Sequence, residues 1–255
     1  MAIVNVSPDS FSGDGVSGVD AAVRRAEEAA EQGADLIDIG GQSTRPGFEE
    51  IGAEEEIRRV APAIERVVRA VDLPVSVDAY RAPVVAAALD AGAHLVNDIW
   101  GFRDDPGVAA LVASRGVPAV IMHNQRGRDF HDVVGDIRAG LEASLLLARE
   151  AGIPRERLIV DPGFGFGWTP EQSLEMLRRL GELKDLGLPI LVGTSRKGAI
   201  GAVLDKPPGD RLWGTAATVA VAIANGVDIV RVHDVSPMVQ VCRMADAIVR
   251  GGWSG

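Results

Sequence analysis

The stretch EQGADLIDI, residues 31–39, closes a run of Ala, Glu and Arg at helical spacing and opens a run of β-formers. Gly33 stands where a helix ends in the left-handed conformation, just ahead of a strand. The same restart recurs in DAGAHLVNDI (90–99), SRGVPAVIM (114–122), DLGLPILVG (185–193) and ANGVDIVRV (224–232). Working outward from these joints, strands are predicted over 2–6, 35–39, 74–78, 94–98, 118–122, 158–161, 190–193 and 229–232. Helices are predicted over 20–32, 54–71, 82–91, 106–114, 133–151, 170–180, 209–224 and 237–249. Strict alternation implies parallel strands joined by right-handed crossovers. Eight units in 255 residues point to a single-domain (β/α)8 TIM barrel spanning residues 1–255. A doubly wound open sheet has the same periodicity and stays open as the alternative. The glycine joints belong to the bottom of such a barrel and serve stability, not binding.

Composition narrows the function. Hydrophobic residues make up 47% and charged residues 24%, an ordinary globular balance that excludes a disordered or collagen-like chain. The net charge of −10 argues against a nucleic-acid binder. No apolar run approaches a membrane span, and MAIVNVSPDS lacks a basic segment followed by an apolar one, so no membrane association and a cytoplasmic location are expected. The single cysteine, Cys242, excludes a disulfide framework and a cysteine-built metal cluster, and it reads as a small buried apolar residue. Four histidines and one cysteine without ligand spacing argue against a zinc site.

A barrel enzyme builds its site at the C-terminal strand ends and the loops beyond them. Those positions hold Asn5, Asp38, Asp78, Asn97, Asp98, His123, Asn124, Asp161, Ser195, Arg196, Lys197, Arg231 and His233. Taken singly, Asp78, Asp98 and Ser195 read equally well as helix caps. Taken together, so many polar groups at one end exceed what packing requires. Two long loops, VSPDSFSGDGVSG (6–18) and GGQSTRPGFEEIGAE (40–54), suit lids over the mouth, and their Phe11 and Phe48 need something to cover. Arg45, Arg196, Lys197, Arg231 and His233 form a cationic set on an acidic chain, suited to phosphate or carboxylate. Lysine is informative here, because the chain has three lysines against 23 arginines. His94 and His131 read as structural or solvated, and GFGFG alone could mark no more than a tight turn.

The motifs VNVSPDSF, DIGGQSTRPG, SVDAYR, NDIWGF, DPGFGFG, GTSRKGAIG and RVHDV resemble, in order and over nearly the whole chain, those of the dihydropteroate synthase family. The resemblance implies a TIM barrel, a homodimer, and a folate-biosynthesis transferase. That enzyme condenses 6-hydroxymethyl-7,8-dihydropterin pyrophosphate with p-aminobenzoate to give 7,8-dihydropteroate and pyrophosphate, and it is a sulfonamide target. It further implies Mg²⁺ contacted by Asn5, with phosphate and water oxygens completing the shell. Matched by motif, Asp78, Asn97, Asp161, Lys197, Arg231 and Met122 bind the pterin. Asn5, Thr44, Arg231 and His233 hold the pyrophosphate. Ser195, Phe11, Pro46, Phe166 and Arg45 form the p-aminobenzoate site, and Asp78, Lys197 and Arg45 serve catalysis. Gln42 and Trp168 depart from the family's usual Glu and Lys. Two alternatives stay open at this point: a barrel presenting methyl-tetrahydrofolate to a corrinoid partner, and a non-catalytic pterin or phosphate binder.

Overall fold

The computed structural model describes residues 1–6, 18–42 and 51–251. Its strands are β1 (Ala2–Asn5), β2 (Ile37–Gly40), β3 (Val75–Asp78), β4 (Leu95–Asp98), β5 (Ala119–Met122), β6 (Leu158–Asp161), β7 (Leu191–Val192) and β8 (Ile229–Val230). Between and after them run α1 (Gly18–Glu31), α2 (Ala53–Ala70), α3 (Ala82–Asp90), α4 (Gly107–Arg115), α5 (Val133–Glu150), α6 (Pro170–Arg179), α7 (Gly198–Leu204), α8 (Leu212–Ala224) and α9 (Val235–Val249). Strands β1 to β6 pair in parallel and in order, and β7 pairs with β8. The two sheets join through parallel bridges Val160–Ile190 and Ala2–Val232. The Ile3 amide donates to the Val232 carbonyl at 3.0 Å, and the Val232 amide to the Met1 carbonyl at 3.0 Å. These contacts close the ring, so the barrel reading holds over the open sheet.

Every glycine at the five repeated joints, Gly33, Gly92, Gly116, Gly187 and Gly226, has a positive φ. The short helical turn that follows SRKG in the sequence extends further than local period indicates: Gly198–Leu204 form a helix of seven residues ahead of α8. The glycine-rich start of that segment hides its helical period.

Alternate strand residues serve two cores. Outward-facing Val4, Ile37, Ile39, Val75, Val77, Val96, Ile121 and Val160 pack under the helices in the large core. Inward-facing Met1, Leu95, Val120 and Leu191, with Leu36, Ile159 and Ile229, form a separate apolar cluster that fills the barrel floor. One step further along the same strands the inward positions turn polar. That change sets the floor of the site.

Candidate active site

The strand register lines up the polar layer. Asn5 pairs with Gly40, Gly40 with Asp78, and Asp78 with Asn97, so these residues are neighbours along the inner wall of the barrel. Gly40 leaves space there: a Cβ at that position would lie 3.7 Å from Asn5 Oδ1 and 3.6 Å from Asp78 Oδ2. Arg231 reaches across from the end of β8. Its Nε donates to Asp38 Oδ2 at 2.6 Å and its Nη2 to Asp78 Oδ2 at 2.6 Å. Asn97 Nδ2 donates to the same Asp38 oxygen at 3.1 Å. Burial lowers the guanidinium's proton affinity, but Asp38 and Asp78 outweigh it and hold Arg231 above its ordinary range. Burial pushes the Asp78 carboxyl up against the pull of Arg231, helped by the negative charges of Asp38, Glu56 and Asp98.

Opposite this cluster stand Asp161 and Lys197. Asp161 Oδ1 accepts the Gly163 amide at 2.7 Å, and Met122 is its register partner on β5. Burial raises Asp161 to about 6, with Lys197 opposing the rise. Burial lowers Lys197 to about 7, with Asp161 partly restoring it. The DPGFGFG run needs its glycines here. Gly163 has φ +77°, and a Cβ would fall 1.9 Å from the His123 carbonyl oxygen. The turn so formed brings the Phe164 carbonyl to the Lys197 ammonium. It also places the Phe166 ring 4.2 Å from Lys197 Nζ and 4.8 Å from Arg126 Cζ. Ser195 lies beside His233, whose backbone N–H donates to Ser195 Oγ at 3.2 Å and whose ring Nδ1 lies 3.0 Å from the same atom.

The structure therefore brings Asn5, Asp78, Asn97, Met122, Asp161, Phe166, Ser195, Lys197, Arg231 and His233 to one barrel end. Phe11, Thr44, Arg45 and Pro46 lie outside the described residues. Three strand-end groups turn elsewhere. Asp98 accepts the amides of Trp100, Gly101 and Phe102 at 2.7, 3.1 and 2.8 Å, so it caps its own loop. His123 is buried behind β5, its Nε2 donates to Gln125 Oε1 at 2.8 Å, and it is lowered to about 4 by burial. Arg196 leaves the cationic set: it pairs with Asp234, its Nε donating to Asp234 Oδ2 at 2.9 Å. The cap reading of Ser195 fails as well, since Lys197 occupies the N-cap position of α7 and no side chain caps it. His94 is structural as expected, its Nδ1 accepting the Val75 amide at 3.0 Å, and Cys242 is half-buried rather than buried.

Sequence reasoning gave Asp38 no role, although it is fully buried and joins Arg231 to Asn97. Its signal was an acid at an inward position of an otherwise apolar strand. Of the two departures, Gln42 accepts from Arg81 Nη2 at 2.7 Å and the Ile51 amide at 3.2 Å, fastening the end of the second loop. Trp168 is buried against His123, ring centroids 5.6 Å apart.

A closed barrel with an acid, amide and guanidinium layer above an apolar floor is the architecture of a pterin-binding barrel, and the family profile described as pterin binding enzyme matches residues 1–233. A dihydropteroate synthase of Clostridium beijerinckii is 45% identical over 98% of this chain and 94% of its own. A solved Clostridium difficile dihydropteroate synthase, in the presence of pteroic acid, superposes with a TM-score of 0.95 at 47% identity, covering 98% of this chain and 96% of its own. A Xanthomonas albilineans dihydropteroate synthase with 4-aminobenzoic acid gives 0.94 at 42% identity, covering 97% and 92%. The chain belongs to the dihydropteroate synthase family.

Proposed function

We propose that this transferase joins 6-hydroxymethyl-7,8-dihydropterin pyrophosphate to p-aminobenzoate, releasing pyrophosphate and forming 7,8-dihydropteroate for folate biosynthesis. The observation that carries the reading is the buried Asp38–Arg231–Asp78 bridge facing Asp161 and Lys197 across the barrel mouth. That layer offers acceptors for an amino-pyrimidinone edge and cations for an anionic leaving group.

Asp161 and Asn97 accept ring and amino N–H groups of the pterin, Lys197 donates to its carbonyl oxygen, and Met122 packs beside it. Arg231 lies against the pterin and, with His233, Asn5 and Thr44, holds the pyrophosphate. As the methylene C–O bond breaks, its electron pair leaves with the pyrophosphate, and the pterin carries the resulting cation. Asp78, near that carbon, stabilises the positive charge. The neutral amine of p-aminobenzoate then forms the new C–N bond and loses a proton to solvent or pyrophosphate. No activated nucleophile is required. Ser195, Phe166, Phe11, Pro46 and Arg45 seat the p-aminobenzoate, and this makes the same pocket a sulfonamide target.

Among the described residues, Asn5 offers magnesium a donor. Among the described residues no group of three His, Cys, Asp or Glu side chains could cage a metal, but Asn5 Oδ1 opens on the space above Gly40. Asn5 would hold Mg²⁺, which supplies charge neutralisation to the departing pyrophosphate. A homodimer in the cytoplasm completes the proposal. Supporting the dimer, Val203 of α7, Trp213 of α8 and Met244 and Ile248 of α9 are 61–80% exposed, an apolar display suited to a second copy. Sedimentation velocity tests it. Among the described residues no helix is long and apolar enough to cross a membrane.

Pyrophosphate release with both substrates present tests the whole reading. Release that requires the pterin pyrophosphate, p-aminobenzoate and Mg²⁺ together is expected. No release with the authentic substrates would sink it, leaving the methyl-tetrahydrofolate or non-catalytic alternatives.

A further inference from the structure

Asp38 lies beneath the residues that face the mouth, and it is fully buried. Its Oδ2 accepts from Arg231 Nε at 2.6 Å and from Asn97 Nδ2 at 3.1 Å. Both partners have two ends with different chemistry. A guanidinium carries five N–H donors in a fixed fork. With Nε spent on Asp38 and Nη2 on Asp78, Nη1 and the second Nη2 hydrogen remain for a ligand. A primary amide has one donor end and one acceptor end. With its nitrogen turned to Asp38, Asn97 is left with a carbonyl oxygen that has no donor among the described residues. The carboxylate is acceptor-only, so it admits one amide orientation. A neutral amide at position 38 would admit both.

We infer that Asp38 is a positioning residue that sets the hydrogen-bond polarity of the pterin pocket, fixing Asn97 with its carbonyl oxygen outward and holding Arg231 across the mouth. The pocket then presents acceptors, Asn97 Oδ1 beside the Asp161 carboxylate, to a ligand whose edge consists of N–H donors. A second observation agrees. Asp38 Oδ1 and its register neighbour Ser76 Oγ are both buried without a partner among the described residues. Such groups cost stability, so the acid burdens the fold that retains it. This inference rests on the pterin reading of the site.

Two variants test it, Asp38→Asn and the exchange Asp38→Asn/Asn97→Asp. The exchange lets the new amide on β2 donate to the new carboxylate on β4 and returns a permanent acceptor to the pocket. Calorimetry with pteroic acid is read beside melting temperature and the two Michaelis constants. Asp38→Asn should lose at least tenfold in pteroic acid affinity and raise KM for the pterin pyrophosphate alike, with KM for p-aminobenzoate within twofold and little change in melting. The exchange should regain at least threefold. Wild-type affinity in folded Asp38→Asn, equal damage to both KM values, or no recovery in a folded exchange variant would overturn it. If Asp38→Asn does not fold, the exchange is read alone: affinity within tenfold of wild type supports the inference and weaker binding overturns it. If neither folds, Asp38 is a fold residue and the inference is lost. Failure of the wild-type protein to bind pteroic acid overturns the pterin reading instead.

Discussion

Two layers of the barrel interior, one above the other, are built by the same strands. Leu36 lies below Asp38, Leu95 below Asn97, Val120 below Met122, Ile159 below Asp161 and Ile229 below Arg231. Each pair is two residues apart, about 6–7 Å along a strand. The lower layer excludes water and contributes packing. The upper layer buries two carboxylates against one guanidinium, an arrangement whose desolvation cost rivals its Coulomb gain. The difference teaches that the barrel keeps stability and recognition on separate levels, so a substitution should damage one with little effect on the other, except at the one cation that both buried carboxylates share.

Arg231 is that exception and carries the largest expected effect. Arg231→Met leaves Asp38 and Asp78 buried without their cation. Breaking a buried pair in this way costs about 3–5 kcal/mol, and losing an electrostatic clamp costs roughly 10²–10³ in rate. Thermal denaturation and pyrophosphate release should both collapse; a stable, active variant would dissolve the distinction between layers.

In the floor, Leu191→Ala should lose about 2–5 kcal/mol of stability through the cavity it leaves. Turnover and both KM values of the folded protein should stay near wild type. A KM change for the pterin larger than the stability loss would show that the layers are coupled.

The rim residue Lys197 should behave in the opposite way. Lys197→Arg keeps the charge but replaces a compact ammonium with a wide fork, beside Gly165, where even an added Cβ would lie 3.0 Å from the lysine Cδ. Turnover should fall nearly as far as in Lys197→Ala, with melting temperature little changed. Near-normal turnover in Lys197→Arg would remove Lys197 from the site.

The smallest effect is a matter of pH. Asp161 is raised by burial to about 6, and only the ionised form accepts two N–H bonds. Protons therefore compete with the ligand as pH falls. Pteroic acid affinity should be about tenfold weaker at pH 5, one unit below the pKa, than at pH 7. Asp161→Asn should lose at least tenfold at pH 7.5 while staying folded, since a donor then faces donors, and its affinity should no longer fall on that limb. An unchanged limb in Asp161→Asn would assign the titration to another group.

Much of this was legible in the chain. The glycine joints gave the alternation, and the strand-end polar residues marked which end of the barrel would work. Where reading failed, the cause was direction rather than identity. Asp98 and His123 stand at strand ends beside true site residues, yet both face away from the interior, because one residue of displacement on a strand reverses the side chain. Arg196 and Lys197 are neighbours in SRKG, but Arg196 takes a positive φ of 59° and turns to Asp234. The full length of α7 was not legible because local period cannot define a short helix that is held by packing against α6 and α8.

The sequence by itself determined the parallel alternation and the residue types gathered at one end, since periodicity, glycine joints and motif order are local properties; closure of the ring, through the Val160–Ile190 and Ala2–Val232 bridges, decided for the barrel over the open sheet. Only the tertiary structure decided which acids share a cation. Asp38, Asp78 and Arg231 come from β2, β3 and the end of β8, as many as 193 residues apart, and they meet only because the ring closes. Closure also removes water from the layer, and that burial, absent from any single segment, moves Asp161 and Lys197 away from their ordinary protonation.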